Sequence, residues 1–273
     1  MSVAKGGPGA APRGMGTPAR EVLDVEIVED RTTGSRSDEG FLRVRRLVLE
    51  NVYVDGSRSA PYPCDVVSRS RTDAVAVVLY DVRPDGPAGR HVVRVALKTG
   101  LRAPVFLRRN ARLVQPDARP YGILAEIVAG MLEPEDAGTT GIERRAAHEA
   151  REEAGLSVDP ASVEPLGAEA FPSPGITDEK VHFRAARTPL DLREKPEGDG
   201  SVMEEGGGVW ILPLEEAIEA CRTGEISDMK TEIALLRLAD HLGYVPSLGC
   251  FIDELPADLR ARWRPLGTPE SRR

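Results

Sequence analysis

The most restrictive stretch of this chain is GIERRAAHEAREEAGL, residues 141–156. At 100° per residue, Ala146, Ala147, Ala150 and Ala154 fill one arc of a helix, and Glu149, Glu152 and Glu153 fall in the adjoining arc of about 100°. Alanine has no bulk beyond Cβ, so such a helix can lie close to a sheet and set its carboxylates at the seam. Thr140 is placed to cap the helix and Gly155 to stop it. Two readings fit the charged arc. Arg145 stands four residues before Glu149, with Arg144 and Arg151 nearby, so the face can be solvated and laced with ion pairs. Three carboxylates beside an open cleft also suit Mg2+, which takes oxygen ligands and keeps several waters. Spacing leaves both open.

The pattern around this helix points to a mixed α/β (α+β) sandwich rather than a doubly wound parallel sheet. Residues 1–20 are rich in Gly, Pro and Ala without periodicity and read as a disordered leader. Up to about residue 110 the runs VLDVEIVED, LRVRRLVLENVYVD, DAVAVVLYDV, VRVALKTG and PVFLRR are strand-like, and GILAEIVA at 122–129 reads as one more strand. After the helix, strands are expected at 163–170, 180–187 and 207–213. Helices are then expected in PLEEAIEACRTG and DMKTEIALLRLADHLG. Segment 188–206, TPLDLREKPEGDGSVMEEG, is too polar for a core and too long for a plain connector, which marks it as a functional loop. The expected division is a leader at 1–20, an N-terminal β region at 21–75, a main domain at 76–245 and a peripheral tail at 246–273.

With 273 residues and 41% of them hydrophobic, the chain can build a sizeable core. It holds no run of about eighteen apolar residues, and its first residues lack the apolar stretch of a secretory signal, so a cytoplasmic protein with no membrane partner is expected. Cys64, Cys221 and Cys250 are odd in number and far apart, which suggests neither a disulfide framework nor a zinc cluster. A formal charge of −8 opposes a general nucleic-acid-binding role, because phosphate backbones are held by dense basic surfaces. Local basic pockets are compatible with it.

HEAREEAGL resembles the end of the Nudix box, G-x5-E-x7-R-E-U-x-E-E-x-G-U with U aliphatic, and AGMLEP resembles its start. The box lays its glutamates on Glu149, Glu152 and Glu153, its late glycine on Gly155 and its final aliphatic on Leu156. AEIVAG at 125–130, SPGITDE at 173–179 and CRTGEISDMKTEIALL at 221–236 extend the resemblance toward the ADP-ribose pyrophosphatase and GDP-mannose hydrolase branch, over about residues 20–245. The resemblance implies a Nudix-type α/β/α sandwich with a mixed sheet and an additional N-terminal β region that forms a homodimer. It also implies Mg2+-dependent hydrolysis, with Mn2+ as a substitute, of a nucleoside diphosphate-sugar to a nucleoside monophosphate and a sugar phosphate. ADP-ribose is the first candidate, followed by GDP-mannose or another nucleotide sugar. The implied cation ligands are Glu149, Glu152, Glu153, the backbone oxygen of Ala129, and Glu205 from the loop before a late strand. Glu205, the adjacent Glu204 and Glu149 are the implied catalytic carboxylates, and Arg102, Glu126 and Glu179 the implied substrate contacts.

The chain departs from the box in three places. His148 stands where the box has arginine, the earlier glutamate falls on Thr140, and Gly130 lies four residues upstream of its usual position. EPEDAGTTG therefore holds a lengthened loop, in which Glu133, Glu135 and Asp136 compete to replace the missing carboxylate. Spacing does not choose among them. These departures keep a rival in view, a Nudix-fold nucleotide-binding or regulatory module with impaired catalysis.

Overall fold

In a computed structural model, residues 36, 39–84, 89–196, 198 and 207–264 are described. Chain order begins with β1 (Arg43–Leu49) and β2 (Tyr62–Ser68), an antiparallel pair in a sheet of its own. The main sheet is built from β3 (Ala74–Arg83), β4 (Val92–Leu101), β5 (Ile123–Glu126), β6 (Val128–Met131), β7 (Val163–Pro165), β8 (Val181–Arg187) and β9 (Gly208–Pro213). It is mixed, since β3 runs parallel to β8 while its other pairings are antiparallel.

This sheet forks. β3 pairs with β4 only over Leu79–Arg83 and Val92–Ala96, and beyond that the two strands part. β5 then continues along β4, from Lys98↔Glu126 to Leu101↔Ile123, while β6 continues along β3, from Ala74↔Met131 to Val77↔Val128. The segment expected as one strand over 122–129 is thus two strands that bridge the fork. At the break, the Ile127 N–H is donated to Thr231 Oγ1 at 2.9 Å, which satisfies a buried donor that the ladder leaves over.

Period-two alternation in β3 explains the layers. Ala76, Val78 and Tyr80 face the core shared with α3 (Leu214–Thr223) and α4 (Met229–Leu242), where Leu214, Ile218, Leu235 and Leu238 are buried. Val75, Val77 and Leu79 face the opposite core, against Ala146, Ala150 and Ala154 of α2 (Gly141–Ala154). The result is the expected α/β/α sandwich around a mixed sheet, compatible with the Nudix type. All three alanines are fully buried, so α2 does lie close to the sheet.

Several local expectations are corrected. PVFLRR is not a strand: α1 (Ala103–Phe106) and a 3-10 turn over Leu107–Asn110 occupy it, with proline in the first turn, where its missing N–H costs no helix bond. β2, which carries Pro63 in the two-stranded sheet, was not expected from the sequence. The strand expected over 163–170 is three residues long. Strand run VLDVEIVED lies outside the described residues. Thr140 occupies the N-cap position of α2 but makes no side-chain capping bond; its hydroxyl instead accepts from Arg144 at 2.7 Å. After α4 the chain adds a short pair, β10 (Tyr244–Val245) with β11 (Cys250–Phe251), then α5 (Ala257–Arg260). Cys250 is buried and Phe251 packs edge-on to Tyr244. Among the described residues no helix is long and apolar enough to cross a membrane.

Gly155 ends α2 at φ 65°, donating to Arg151 O at 3.0 Å, while Leu156 N–H reaches back to Ala150 O at 3.1 Å. A Cβ here would overlap the Glu194 carbonyl oxygen and lie 2.8 Å from its carbon. Gly155→Ala is therefore expected to lower stability by about 1–3 kcal/mol through left-handed backbone strain alone, with displacement of the 194–196 segment added. Urea unfolding checks this, and an unchanged midpoint would contradict it.

Candidate active site

The fork opens a cleft of about 1410 Å³ between the C-terminal end of β4, the β5–β6 break and the carboxylate arc of α2. Glu149 sits at its floor, 8% exposed. Its side chain lies directly on Gly130 of β6. A Cβ at 130 would be 2.6 Å from Glu149 Cγ and closer still to its carboxyl atoms. The glycine at the start of the box resemblance is thus needed for close approach rather than for an unusual backbone angle.

Arg145, one helical turn earlier, stands 3.6 Å from Glu149 and donates through Nε to Asp136 Oδ2 at 2.7 Å. The same Asp136 oxygen accepts the Glu133 N–H at 2.9 Å, and Glu133 pairs with Arg71. Of the three acidic candidates in the lengthened loop, Asp136 is the one that an α2 arginine grips beside Glu149. Glu133 caps the 3-10 turn, and Glu135 offers only its carbonyl, to Arg144. His148, at the box arginine position, turns to Glu152 instead, with Nδ1 3.2 Å from Oε2.

The carboxylates are not equivalent. Ligand atoms of His148, Glu149 and Glu152 all lie within 4.8 Å of one another. Glu153, outside that group, pairs with Lys98 and accepts the Ala129 N–H at 3.0 Å. An ionised carboxylate has about four acceptor sites, so these bonds do not exhaust it. Burial, reinforced by the charges of Glu153 and Glu152, pushes Glu149 up to about 7, and Arg145 and Lys98 offset this only in part. A divalent cation would relieve the same repulsion. An oxygen-rich set beside an open cleft fits a hard ion such as Mg2+ or Mn2+, and Glu149 and Glu152, with Glu153 and the Ala129 backbone beside them, are the groups placed to hold it.

At the other wall Glu126 is buried and accepts from Arg102 Nε at 2.6 Å and Lys230 Nζ at 3.4 Å. Lys230 also binds Asp228 at 2.7 Å, and Asp228 caps α4 by accepting the Thr231 N–H at 3.0 Å. Glu126 therefore orients Arg102 and Lys230 toward the cleft. Glu179 lines the cleft as well and is paired with Arg69 at 2.7 Å, while the Arg69 guanidinium covers the Phe41 ring. Glu204 and Glu205 lie outside the described residues. The next described residues, Gly207 and Gly208, line the cleft, and Gly208 is fixed there by two bonds with the Thr99 hydroxyl at 2.8 and 3.1 Å.

The chain is 31% identical over 216 residues to a GDP-mannose pyrophosphatase of Cronobacter sakazakii, covering 79% of this chain and 95% of that one. A GDP-mannose pyrophosphatase of an Enterobacter species is 35% identical over 214 residues, covering 78% and 94%. The chain belongs to the GDP-mannose pyrophosphatase family. A third relative of that name, from Pectobacterium atrosepticum, is 32% identical over 168 residues, covering 60% of this chain and 72% of its own. No family model matches the chain. For a member of the GDP-mannose pyrophosphatase family, the sequence reading missed several groups that line the cleft: Lys98, Lys230, Arg69, Arg71 and Arg145. Some signal was present. Lys98 stands four residues before Arg102, on the same face of an extended strand, and Arg69 and Arg71 alternate in SRSRT. Lys230 had little, since Asp228 is a near neighbour in sequence but Glu126 is brought to it only by the fold.

Two outcomes follow from this geometry. Gly130→Ala is expected to weaken Mn2+ binding at least about tenfold, or about 1.4 kcal/mol, by evicting the Glu149 carboxyl; wild-type affinity in a titration would contradict the seating. The second concerns pH. Because the folded-state value of Glu149 is raised, its contribution to stability is present at low pH and is lost as pH rises through about 7. Metal-free protein should therefore lose stability as pH rises from about 4.5 to about 7, and added Mg2+ should raise the melting temperature more at pH 8 than at pH 6. An equal rise at both would sink the linkage.

Proposed function

We propose that this chain is a Nudix pyrophosphohydrolase that cleaves the diphosphate bond of a nucleoside diphosphate-sugar, giving a nucleoside monophosphate and a sugar phosphate. The observation that carries this reading is the seating of Glu149 on Gly130 at the sheet fork, beside Glu152, in a cleft whose opposite wall presents Arg102. Similarity to enzymes named for GDP-mannose puts that sugar nucleotide ahead of ADP-ribose as the first substrate to try.

Bound among these carboxylates, Mg2+ would offset the charge of the diphosphate and make water acidic enough to attack phosphorus near neutral pH. The chain's own groups do the rest. Glu149, held by Arg145, and Glu152 supply the negative charge that retains the cation. Lys98 pairs with Glu153 and holds it in place. Arg102, steadied by Glu126, offers a planar donor for phosphate oxygens. Glu204 or Glu205, shortly before β9 in the sequence, supplies a further carboxylate. Histidine at 148 does not by itself favour a module with impaired catalysis, because Arg145 already grips both Asp136 and Glu149.

A homodimer also belongs to this reading. Phe41, Leu42, Val48, Val52, Tyr53 and Val54, in and around the β1–β2 pair, are all exposed, and a second copy would cover them.

Phosphate release over a panel containing GDP-mannose and ADP-ribose tests the activity. Glu152→Gln is expected to reduce turnover at least about tenfold, roughly 1.4 kcal/mol of transition-state stabilisation, and to weaken the apparent Mg2+ affinity. An exposed ion pair would contribute only a few tenths of a kcal/mol to stability, so near-wild-type turnover at limiting Mg2+ would return this face to an ordinary solvated one.

A further inference from the structure

The cleft is rich in cations, yet nearly all are engaged. Arg69, Arg71, Lys98, Arg102, Arg145 and Lys230 each hold a carboxylate. Among the described residues, the other lysine and arginine lining the cleft are Arg193 and Lys195, and neither lies within ion-pair distance of a carboxylate. A polyanion entering the cleft meets these two charges without having to break an existing pair.

Their positions are set by a strap that leaves β8 and crosses to the end of α2. Thr188 N–H bonds Tyr80 O at 2.9 Å, and Leu190, fully buried, donates its N–H to Asp81 at 3.3 Å. Arg83 and Arg94 grip Asp191 at 2.9 and 3.0 Å. Glu194 N–H then bonds Gly155 O at 2.8 Å, and Gly198 N–H bonds Glu152 O at 3.0 Å. The strap is thereby fastened to β3, β4 and α2, with its last bond on the backbone of a carboxylate-bearing residue. Arg193 is extended, so residues 193 and 195 share a side, and the intervening Glu194 is not part of the cleft lining.

We propose that Arg193 and Lys195 form an anion-binding pair at the α2 end of the cleft, taking phosphate oxygens of the diphosphate while Arg102 approaches from the opposite wall. The assignment of the diphosphate as ligand rests on the function proposed above; the availability of the two charges does not. Arginine and lysine suit the task differently, the first as a planar fork and the second as a mobile point charge. Exposed at the rim, they also draw an anion in from solution, an effect that salt screens. A competing explanation is that they only offset the negative C-terminal end of α2.

The test compares wild type with the double variant R193Q/K195Q, both as full chains. Binding of inorganic pyrophosphate is measured by calorimetry in EDTA at low and high salt, and hydrolysis of GDP-mannose is measured with Mg2+. The expected result is a loss of at least about tenfold in pyrophosphate affinity, a flatter salt dependence and a KM raised about tenfold, with kcat within about twofold and the melting temperature unchanged. Restoration by R193K/K195R, which keeps both charges, would support the pair. Unchanged pyrophosphate affinity and KM would overturn it, and a lowered melting temperature with unchanged affinities would assign the cations to the helix end instead. If wild type hydrolyses neither GDP-mannose nor ADP-ribose, the hydrolase reading fails, and the pyrophosphate measurement still decides the fate of the pair.

Discussion

The structure depends on how closely α2 can approach the sheet. Three buried alanines and a glycine make that approach possible: Ala146, Ala150 and Ala154 let the helix down onto β3, and Gly130 leaves room for the Glu149 carboxyl directly above β6. Any larger group at these positions would lift the helix and with it Glu152 and Glu153. The same closeness makes Glu149 an uncomfortable anion, buried and repelled by its neighbours. Packing and chemistry are therefore one constraint, since the contacts that stabilise the sandwich concentrate charge where a cation can offset it.

The fork in the sheet supplies the space. Where β3 and β4 part, β5 and β6 extend each arm without closing the gap, and the kink at Ile127 is held by Thr231 of α4 from the far face. Thr231 in turn donates through its hydroxyl to Asp228, which positions Lys230 beside Glu126. One chain of hydrogen bonds thus connects the layer behind the sheet to the wall of the cleft. This local network explains how a protein of net charge −8 can present a site suited to a polyanion, because the whole-molecule balance says little about a cleft lined by both cations and carboxylates.

Much of this was legible in local pattern. The alanine and glutamate arcs marked α2 and its two faces, and Gly155 ended it, because both signals depend only on near neighbours. The α3 and α4 helices and most strands followed from the same periodicities. The failures have a common cause. Segment 122–129 looks like one strand because the bond that breaks it comes from Thr231, 104 residues away. PVFLRR reads as a strand from its apolar residues, although proline in its first turn and the short connection from β4 favour a helix start. At the site, the box alignment exposed the loss of an arginine at 148 but not its replacement, since Arg145 meets Asp136 only after the lengthened loop folds back on α2. Arg193 and Lys195 looked like part of a polar loop until the strap's bonds to Gly155 and Glu152 gave them a fixed place.

The central claim is that the α2 carboxylates form a divalent-cation site rather than a solvated helix face. Anomalous diffraction from crystals of the wild-type chain grown with Mn2+ tests this most directly. A peak is expected within about 2.0–2.6 Å of carboxylate oxygens of Glu149 and Glu152, at the floor of the fork beside Gly130. A map with no peak there at millimolar Mn2+, or with ions bound only at exposed surface carboxylates elsewhere, would contradict it.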